Sequence, residues 1–311
     1  MVQKQLSGGY LFDIQGFSVH DGPGCRTLIF FKGCPLQCQW CSNPEGIHPF
    51  PEPLYKQSKC TFDKLCIEAC PVQAINMEGN TLHFDRVKCS KCSTQDCITA
   101  CCSSALNLGG YFISVNDLYA TIQRDRQYWG EKGGITLTGG EPLYQPAFAR
   151  DLLKRCYEAF IHTAVETCGL VPIDNYRESL PYLDWIFFDL KHMDPIRHKE
   201  ATGHSNKMIL RSAATLAREF NGRMVFRMPL IPGFNDDDKN IRETADFIKS
   251  TGRNEINLLP VHHFGREKYT LLGQTYYTAT FDAVPRKSLE RCKTFMESAG
   301  IICHLAGDTP F

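Results

Sequence analysis

The chain has 311 residues, enough to bury a substantial apolar core in one large domain or in two ordinary ones. Its 34 basic residues (Lys and Arg) equal its 34 acidic residues, so no overall charge argues for nucleic acid or an anionic membrane as a partner. No apolar run approaches the roughly 18 residues that span a bilayer, and the first residues lack the apolar stretch of a signal peptide, which predicts a cytoplasmic protein. Sixteen cysteines in a reducing compartment indicate metal binding rather than disulfides.

The first predicted strand covers residues 25–33, a β-branched and aromatic run that ends at glycine. Cysteines follow it directly, and the sequence then changes to proline, more cysteine and short loops with little periodicity. We interpret residues 49–109 as an inserted module. Residues 1–48 and 110–311 then form the domain into which this module is inserted.

After the module, helices and strands alternate to the end of the chain. A helix is predicted at residues 115–129, with Asn116 as its cap, and six further strands follow: GITLTGG, HTAVETCG, DWIFFDLK, RMVFRMPLIPG, INLLPVHH and IICHLAGD. Strands that alternate with helices of this length imply βαβ units with a parallel sheet. The predicted fold is α/β, a partial (β/α)6 barrel, and its site is expected at the carboxyl ends of the strands.

Three cysteines follow the first strand with the spacing C-x3-C-x2-C: Cys34, Cys38 and Cys41. A structural zinc site normally has four protein ligands, and common four-iron ferredoxin runs also supply four cysteines. Three thiolates around a four-iron cluster would leave one iron free to bind a substrate. The alternative is a zinc site that a distant cysteine or histidine completes.

This cysteine loop, with Trp40 before its last cysteine and TGGEP further along, resembles the radical SAM superfamily. The resemblance implies that the three cysteines hold a [4Fe-4S] cluster whose fourth iron chelates S-adenosylmethionine (SAM), with Trp40 beside the cofactor. An electron from the cluster would then split SAM and yield a 5'-deoxyadenosyl radical. The resemblance also implies that Gly139, Gly140 and Glu141 bind the SAM amino group. Glycines that let backbone approach a ligand, and a carboxylate that can pair with an ammonium, agree with this role.

The segment HDGPGCRT at residues 20–27 is similar to the opening signature of the activating enzymes of glycyl radical enzymes. Cys25 stands where most members have isoleucine or valine. Further matches to that family are the segments ET, DLK, RMPLIPG and LLPVHHFGREKY, so the resemblance covers nearly the whole chain.

The family resemblance implies roles for several polar residues at strand ends. Asp189 and Lys191 would be catalytic residues near SAM and the target backbone, and His262 would contact the adenosine. Glu166, Thr167 and Asp189 would also lie where a monovalent cation can bind. Each of these residues taken alone is ambiguous, because such a residue can equally be a cap, a solvated turn or a surface histidine.

The inserted module carries cysteine runs similar to those of two-cluster ferredoxins, in which the last cysteine of each run crosses to the other cluster. This rule assigns one auxiliary cluster to four cysteines: Cys70, Cys89, Cys92 and Cys97. The second set, Cys60, Cys66 and Cys101, lacks a fourth cysteine. Cys102 or Asp63 could complete it, or this cluster could have three irons or be absent; two zinc sites are the alternative for the module. The natural use of such clusters is an electron path.

Four cysteines that stand alone are predicted to be buried structural residues: Cys156, Cys168, Cys292 and Cys303.

The resemblance also bears on the partner. HDGPGCRT, residues 124–130 and residues 307–311 are most similar to the branch of the family that activates 4-hydroxyphenylacetate decarboxylase. Activases of choline trimethylamine-lyase, glycerol dehydratase and other arylacetate decarboxylases share the plan. The implied reaction takes an electron from flavodoxin or ferredoxin and removes hydrogen from a glycine of the partner. The alternatives are a radical SAM enzyme that modifies a peptide without being an activase, and a ferredoxin-like electron carrier.

Overall fold

The alternating strands and helices form one nine-stranded sheet in the computed structural model, which describes residues 7–277 and 284–307. The strands of this sheet, in chain order, are β1 (Gly8–Ser18), β2 (Arg26–Phe31), β7 (Tyr111–Ser114), β8 (Gly134–Gly139), β9 (His162–Thr167), β10 (Trp185–Asp189), β11 (Arg223–Leu230), β12 (Glu255–Pro260) and β13 (Ile302–Leu305). The module between β2 and β7 adds two antiparallel pairs, β3 (Glu52–Tyr55) with β6 (Leu106–Gly109) and β4 (Ile75–Glu78) with β5 (Thr81–Phe84).

The helices are α1 (Leu65–Glu68), α2 (Arg86–Cys89), α3 (Asp96–Thr99), α4 (Val115–Ile122), α5 (Pro146–Glu158), α6 (Ile173–Arg177), α7 (Pro195–Thr202), α8 (Lys207–Glu219), α9 (Asp238–Ser250), α10 (Arg266–Leu272) and α11 (Arg286–Ser298). Short 3-10 helices lie at Pro44–Gly46, Gln57–Lys59, Gln123–Tyr128, Pro142–Tyr144 and Leu180–Tyr182.

The large sheet has the order β13-β12-β11-β10-β9-β8-β2-β1-β7. The strands from β2 to β13 in this order are parallel, whereas β1 pairs antiparallel with both β2 and β7. The edge strands β7 and β13 do not pair with each other in the part of the chain that the structure describes. The arrangement is therefore an open, partial barrel of βα units, as predicted, with an antiparallel extension at the β2 side.

Burial of one face of each of the longer helices against this sheet forms the main core. All six residues of β2 are buried. On α9, Ile241, Ala245 and Ile248 are buried at intervals of three and four residues, the spacing that places side chains on one helical face. The inserted module has a smaller core of its own, which includes Tyr55, Leu82 and several cysteines.

Two local predictions differ from the structure. The helix predicted at residues 115–129 ends as an α-helix at Ile122 and continues as the 3-10 turn Gln123–Tyr128. Its cap is Ser114 rather than Asn116, because the Ser114 hydroxyl accepts a hydrogen bond from the backbone N–H of Asp117 at 3.1 Å. Within residues 7–277 and 284–307, no helix is long and apolar enough to cross a membrane. The cytoplasmic location stays a prediction, as do the boundaries of the module.

Candidate functional site

A cavity of about 230 Å³ lies at the carboxyl ends of β8 to β12, beside the cysteine loop that follows β2. Ten of the residues predicted for the site line this cavity: Cys34, Cys38, Trp40, Cys41, Gly139, Gly140, Glu166, Thr167, Asp189 and Lys191. Residues from separate strands meet here because parallel strands end at the same edge of the sheet. Glu141 and His262, which were also predicted for the site, are not among the lining residues.

The cysteine loop is fixed to the surrounding domain by its backbone. The N–H of Cys34 donates to the carbonyl of Ile47 at 2.9 Å, and the N–H of Gln39 donates to Ala201 at 3.0 Å. The buried Trp40 ring packs on Phe234, with 5.0 Å between ring centroids. These contacts hold the loop with its cysteines directed into the cavity.

Burial disfavours the charged form of these cysteines. It raises the pKa of Cys38 to about 12, although the charge of Lys191 acts in the opposite direction. A cationic metal group would compensate the negative charge that each thiolate brings into this site.

Gly139 and Gly140 pack against the start of the cysteine loop. Gly139 has a φ of +105°, and a Cβ at Gly140 would lie 2.5 Å from the carbonyl oxygen of Gly33 and 2.6 Å from that of Gly46. Any larger residue would therefore push the cysteine loop away from β8. The glycines are required here by the close approach of two protein segments, in addition to whatever ligand the cavity holds.

The Glu141 side chain is held by hydrogen bonds from the protein. It is fully buried, one oxygen accepts from the N–H of Leu143 at 3.2 Å, and the other accepts from the Thr167 hydroxyl and the Cys168 N–H, both at 2.8 Å. This carboxylate thus has protein donors and does not line the cavity, and its pairing with the SAM ammonium stays a prediction. Glu141 joins the end of β8 to the end of β9 behind the cavity wall.

Glu166 belongs to a network of charges at the cavity. Its carboxylate pairs with Arg227 and accepts from the Thr138 hydroxyl at 2.6 Å, while Arg227 lies 3.5 Å from Asp21. Burial raises the pKa of Glu166 to about 7, and the attraction of Arg227 opposes that rise. Arg227 was predicted only as part of a matching segment, and its contact with Glu166 joins β11 to β9.

Lys191 and Asp189 form an ion pair in the cavity wall. The Lys191 Nζ lies 2.8 Å from Asp189 Oδ2, and only 7% of the lysine side chain is exposed. Burial opposes the charged lysine, but the combined attraction of Asp189, Cys38 and Cys168 outweighs it and raises the pKa of Lys191 above its usual value. Two of the three positions predicted for a monovalent cation, Glu166 and Asp189, are thus paired with Arg227 and Lys191, and the cation itself stays a prediction.

His262 lies away from the cavity wall. Its exposed ring stacks near Phe264, with 4.5 Å between ring centroids, in the loop after β12. His262 is therefore not one of the lining residues of the cavity, and its contact with adenosine stays a prediction.

Cys168 is a cavity residue that the sequence interpretation missed. It was predicted as a lone structural cysteine, yet it lines the cavity, and its thiol is close enough to that of Cys34 for each to shift the pKa of the other. The interaction of the two thiols lowers the pKa of Cys34 and raises that of Cys168. Its place in the segment ETCG, at the end of a strand that carries two predicted site residues, was the available signal.

The cysteines of the module lie near one another, and their division into two ligand sets stays a prediction. Cys97 has Cys70, Cys89 and Cys92 as ionisable neighbours. Burial is the largest cause of the raised pKa of Cys97, which is about 11, and the charges of these neighbours raise it further. Cys60, Cys66 and Cys101 line a separate small cavity.

Backbone N–H groups donate to five of the cysteine sulfurs, which favours thiolates and fits iron–sulfur ligation. The bonds, with their lengths, are Asn43 to Cys41 (3.4 Å), Phe62 to Cys60 (3.4 Å), Ala74 to Cys70 (3.2 Å), Gln95 to Cys92 (3.4 Å) and Leu106 to Cys101 (3.3 Å). No three His, Cys, Asp or Glu side chains are gathered as for a single metal ion within residues 7–277 and 284–307.

Two protein-family models and several curated relatives match this chain. The model of the radical SAM superfamily matches residues 86–248, and that of a 4Fe-4S single cluster domain matches residues 20–72. The chain is 39% identical to the 4-hydroxyphenylacetate decarboxylase activating enzyme of Clostridioides difficile, over 99% of both chains. It is also 39% identical to the indoleacetate decarboxylase activating enzyme of Tractidigestivibacter scatoligenes, over 94% of this chain and 96% of that one.

A third relative, 41% identical over 93% of this chain and 96% of its own length, is the isethionate sulfite-lyase activating enzyme of Nitratidesulfovibrio vulgaris. All three relatives are activating enzymes of similar length to this chain, and both family models describe iron–sulfur or SAM-dependent proteins. The chain therefore belongs to the radical SAM superfamily and, within it, to the activating enzymes of glycyl radical enzymes, which use an iron–sulfur cluster that binds SAM.

Proposed function

We propose that this chain installs the glycyl radical of an arylacetate decarboxylase, with 4-hydroxyphenylacetate decarboxylase as the first candidate partner. Two relatives that match nearly the whole chain are activating enzymes of decarboxylases of this kind. The observation that carries the chemistry is the convergence of Cys34, Cys38 and Cys41 with an ion pair and two glycines on one cavity.

In this proposal Cys34, Cys38 and Cys41 are the protein ligands of the SAM-binding cluster. When bound, that group supplies one-electron cleavage of SAM to methionine and a 5'-deoxyadenosyl radical. The amide donor to Cys41 and the cavity placement of all three cysteines support their role.

The other cavity residues position SAM. Lys191 presents a buried positive charge that suits the SAM carboxylate, and Asp189 and Glu166 present carboxylates that suit its ammonium and ribose hydroxyls. Gly139 and Gly140 let the end of β8 pack closely against the cysteine loop, and no side chain from these two positions fills the cavity.

The partner offers a glycine as extended peptide at the mouth of the cavity. A glycine without a side chain can approach closely, and backbone contacts suit recognition of an extended segment. The 5'-deoxyadenosyl radical takes one hydrogen atom from the glycine α-carbon, which yields 5'-deoxyadenosine and leaves the unpaired electron on the glycine. Asp189 and Lys191 lie on the wall that this peptide would meet.

The inserted module, residues 49–109, carries electrons from flavodoxin or ferredoxin toward the cavity. Cys70, Cys89, Cys92 and Cys97 are proposed as the ligands of one auxiliary cluster, and their mutual proximity supports this set. Cys60, Cys66 and Cys101 are proposed as ligands of the second.

The test is radical formation on defined partners. Reduced protein and SAM are mixed anaerobically with 4-hydroxyphenylacetate decarboxylase, with indoleacetate decarboxylase or with isethionate sulfite-lyase, and glycine-centred doublets are measured by electron paramagnetic resonance (EPR). We expect the largest yield with an arylacetate decarboxylase. A larger yield with isethionate sulfite-lyase would identify that enzyme as the partner instead, and no doublet with any partner would contradict the proposal.

A further inference from the structure

We propose that Asp63 is the fourth protein ligand of the second auxiliary cluster, which gives this site three thiolates and one carboxylate. The inference builds on the ligand set Cys60, Cys66 and Cys101 proposed above. It adds a metal ligand and a chemical property that follows from it, an iron that is easily lost.

The spacing of the first run places Asp63 where a cysteine is missing. The ferredoxin pattern is C-x2-C-x2-C-x3-C-P. Here Cys60, Cys66, Cys70 and Pro71 occupy the first, third, fourth and fifth defined positions, and the second defined position is Asp63. The run is therefore complete in length, with an oxygen ligand in place of one sulfur ligand.

The fold brings this carboxylate to the three cysteines. Asp63 lines the same small cavity as Cys60, Cys66 and Cys101. The N–H of Leu65 donates to Asp63 Oδ1 at 3.1 Å, two residues further along the chain, just as the N–H of Phe62 donates to the sulfur of Cys60.

Cys102, the other candidate, is placed differently. Its side chain is exposed, its thiol faces the carbonyl of Ala100 at 3.8 Å, and it does not line the cavity. A ligand role for Cys102 would require the chain after Cys101 to rearrange.

A buried donor beside this cavity supports a bound cluster. The Tyr55 side chain is only 7% exposed, and its hydroxyl lies against the Cys60 thiol without a well-formed hydrogen bond among the residues that the structure describes. An unsatisfied buried hydroxyl is costly, and a sulfide or thiolate of a bound cluster would accept a hydrogen bond from it.

The carboxylate ligand predicts which iron is lost first. Carboxylate is a harder ligand than thiolate and suits iron–sulfur clusters less well, and Asp63 is exposed to solvent. Oxidation should release the iron at this corner: [4Fe-4S]2+ gives [3Fe-4S]+, Fe2+ and one electron, which ferricyanide accepts.

The experiment uses the full chain with Cys34, Cys38 and Cys41 replaced by alanine, so that the cluster with an open iron in the SAM cavity contributes no signal. Asp63→Cys and Asp63→Ala are compared with the unchanged Asp63 in this background after anaerobic reconstitution. Asp96→Ala is the matched control, because Asp96 accepts from Thr94 at 2.9 Å as Asp63 accepts from Thr61 at 2.8 Å, but it lies outside the cavity. The readouts are iron content and the EPR spectrum before and after ferricyanide.

With Asp63 present, we expect ferricyanide to release one iron per chain and to produce a three-iron signal. Asp63→Cys should abolish both effects, Asp63→Ala should lack that iron before oxidation, and Asp96→Ala should behave like the parent. A parent that releases no iron, or an Asp63→Cys protein that loses iron to the same extent as the parent, would overturn the assignment. Because the cysteine variant retains a ligand, it decides the question even if the alanine variant loses the whole cluster. None of these readouts requires SAM cleavage, so they are independent of the proposed activity.

Discussion

Glu141 illustrates how a residue of a binding motif can act from behind the site. Its carboxylate has no exposed surface and accepts from Leu143, Thr167 and Cys168. The residue therefore sets where the end of β9 lies relative to the GG turn after β8. Its effect on SAM would be through the position of the cavity wall.

The first prediction concerns this contact. Glu141→Gln replaces one acceptor oxygen by an amide that can only donate, so at least one buried N–H or O–H loses its partner. We expect the free energy of unfolding to fall by about 1–3 kcal/mol, the cost of an unsatisfied buried group. Denaturant unfolding of the apoprotein measures it. The exposed Glu131→Gln is the control, and equal stability of the two variants would show that Glu141 has no such role.

The second prediction concerns Cys168. A hydrogen bond to a ligand sulfur raises the reduction potential of an iron–sulfur cluster because it stabilises the more negative, reduced form. Cys168→Ala removes the neighbouring thiol, which can donate a hydrogen bond to the Cys34 sulfur, and should make the potential of the cluster proposed at Cys34 more negative, as measured by EPR-monitored redox titration. Cys156→Ala, a buried cysteine on α5 away from the cavity, should leave the potential unchanged. Equal potentials in both variants would contradict the contact.

At this scale the sequence predicts contacts that depend on local spacing. Cys34, Cys38 and Cys41 lie within one loop, so their spacing alone indicated a shared ligand set. The Arg227 contact with Glu166 joins residues 61 positions apart, and nothing in either local segment specifies it. The position of Glu141 depended on which strand end lay beside it, and a motif does not contain that information.

At the scale of elements, a buried lysine of the barrel contacts the two strands at the ends of the module. Lys32, directly after β2, is fully buried and donates to the carbonyls of Glu45 at 2.5 Å and Gly109 at 3.0 Å. Its Nζ lies 3.8 Å from Glu52 at the start of β3, which also pairs with Arg86 at 3.2 Å. One lysine thus contacts both strands at the ends of the module.

The third prediction follows from this arrangement. Lys32→Met leaves buried acceptors without a donor and should lower the free energy of unfolding by about 3–5 kcal/mol, as expected when one partner of a buried pair is removed. The double variant with Glu52→Gln should recover part of that loss, because it also removes the buried negative charge. Denaturant unfolding of the single and double variants measures both effects. A double variant less stable than Lys32→Met would contradict the pairing.

Periodicity predicted the parallel strands but missed the antiparallel ones. The strands β2 and β8 to β12 are apolar runs between helices, and their burial makes them recognisable. By contrast, β1 is partly exposed along its length, with three adjacent exposed residues, so it has no consistent alternation of apolar and polar positions. The helix that begins at Val115 was predicted too long, because a 3-10 turn continues its pattern to Tyr128.

At the scale of the molecule, the cavity at the strand ends and the module are built from different parts of the chain. The cavity is formed by strand ends of the large sheet, while the module has its own strand pairs and core. The cysteine runs predicted this division. The signature at residues 307–311 lies, apart from residue 307, outside the described residues, and its match stays a sequence observation.

The fourth prediction uses this division. Cys38→Ala should remove the iron of the SAM cavity, about four atoms per chain, and abolish formation of 5'-deoxyadenosine with any reductant. Cys92→Ala should remove a similar amount of iron from the module, lower SAM cleavage with flavodoxin and preserve it with dithionite. Iron analysis and product quantification measure these effects. Loss of cleavage with dithionite in Cys92→Ala would show that the module takes part in the chemistry itself.

The central claim is that SAM binds directly to a cluster held by Cys34, Cys38 and Cys41. The most direct test is electron–nuclear double resonance of the reduced protein with SAM labelled by 15N and 17O in its methionine part, because hyperfine coupling reports atoms bound to the cluster. We predict coupling from both labels in the unchanged protein. Absence of coupling there, with its appearance only in Cys168→Ala, would show that Cys168 occupies the fourth iron and would contradict the account.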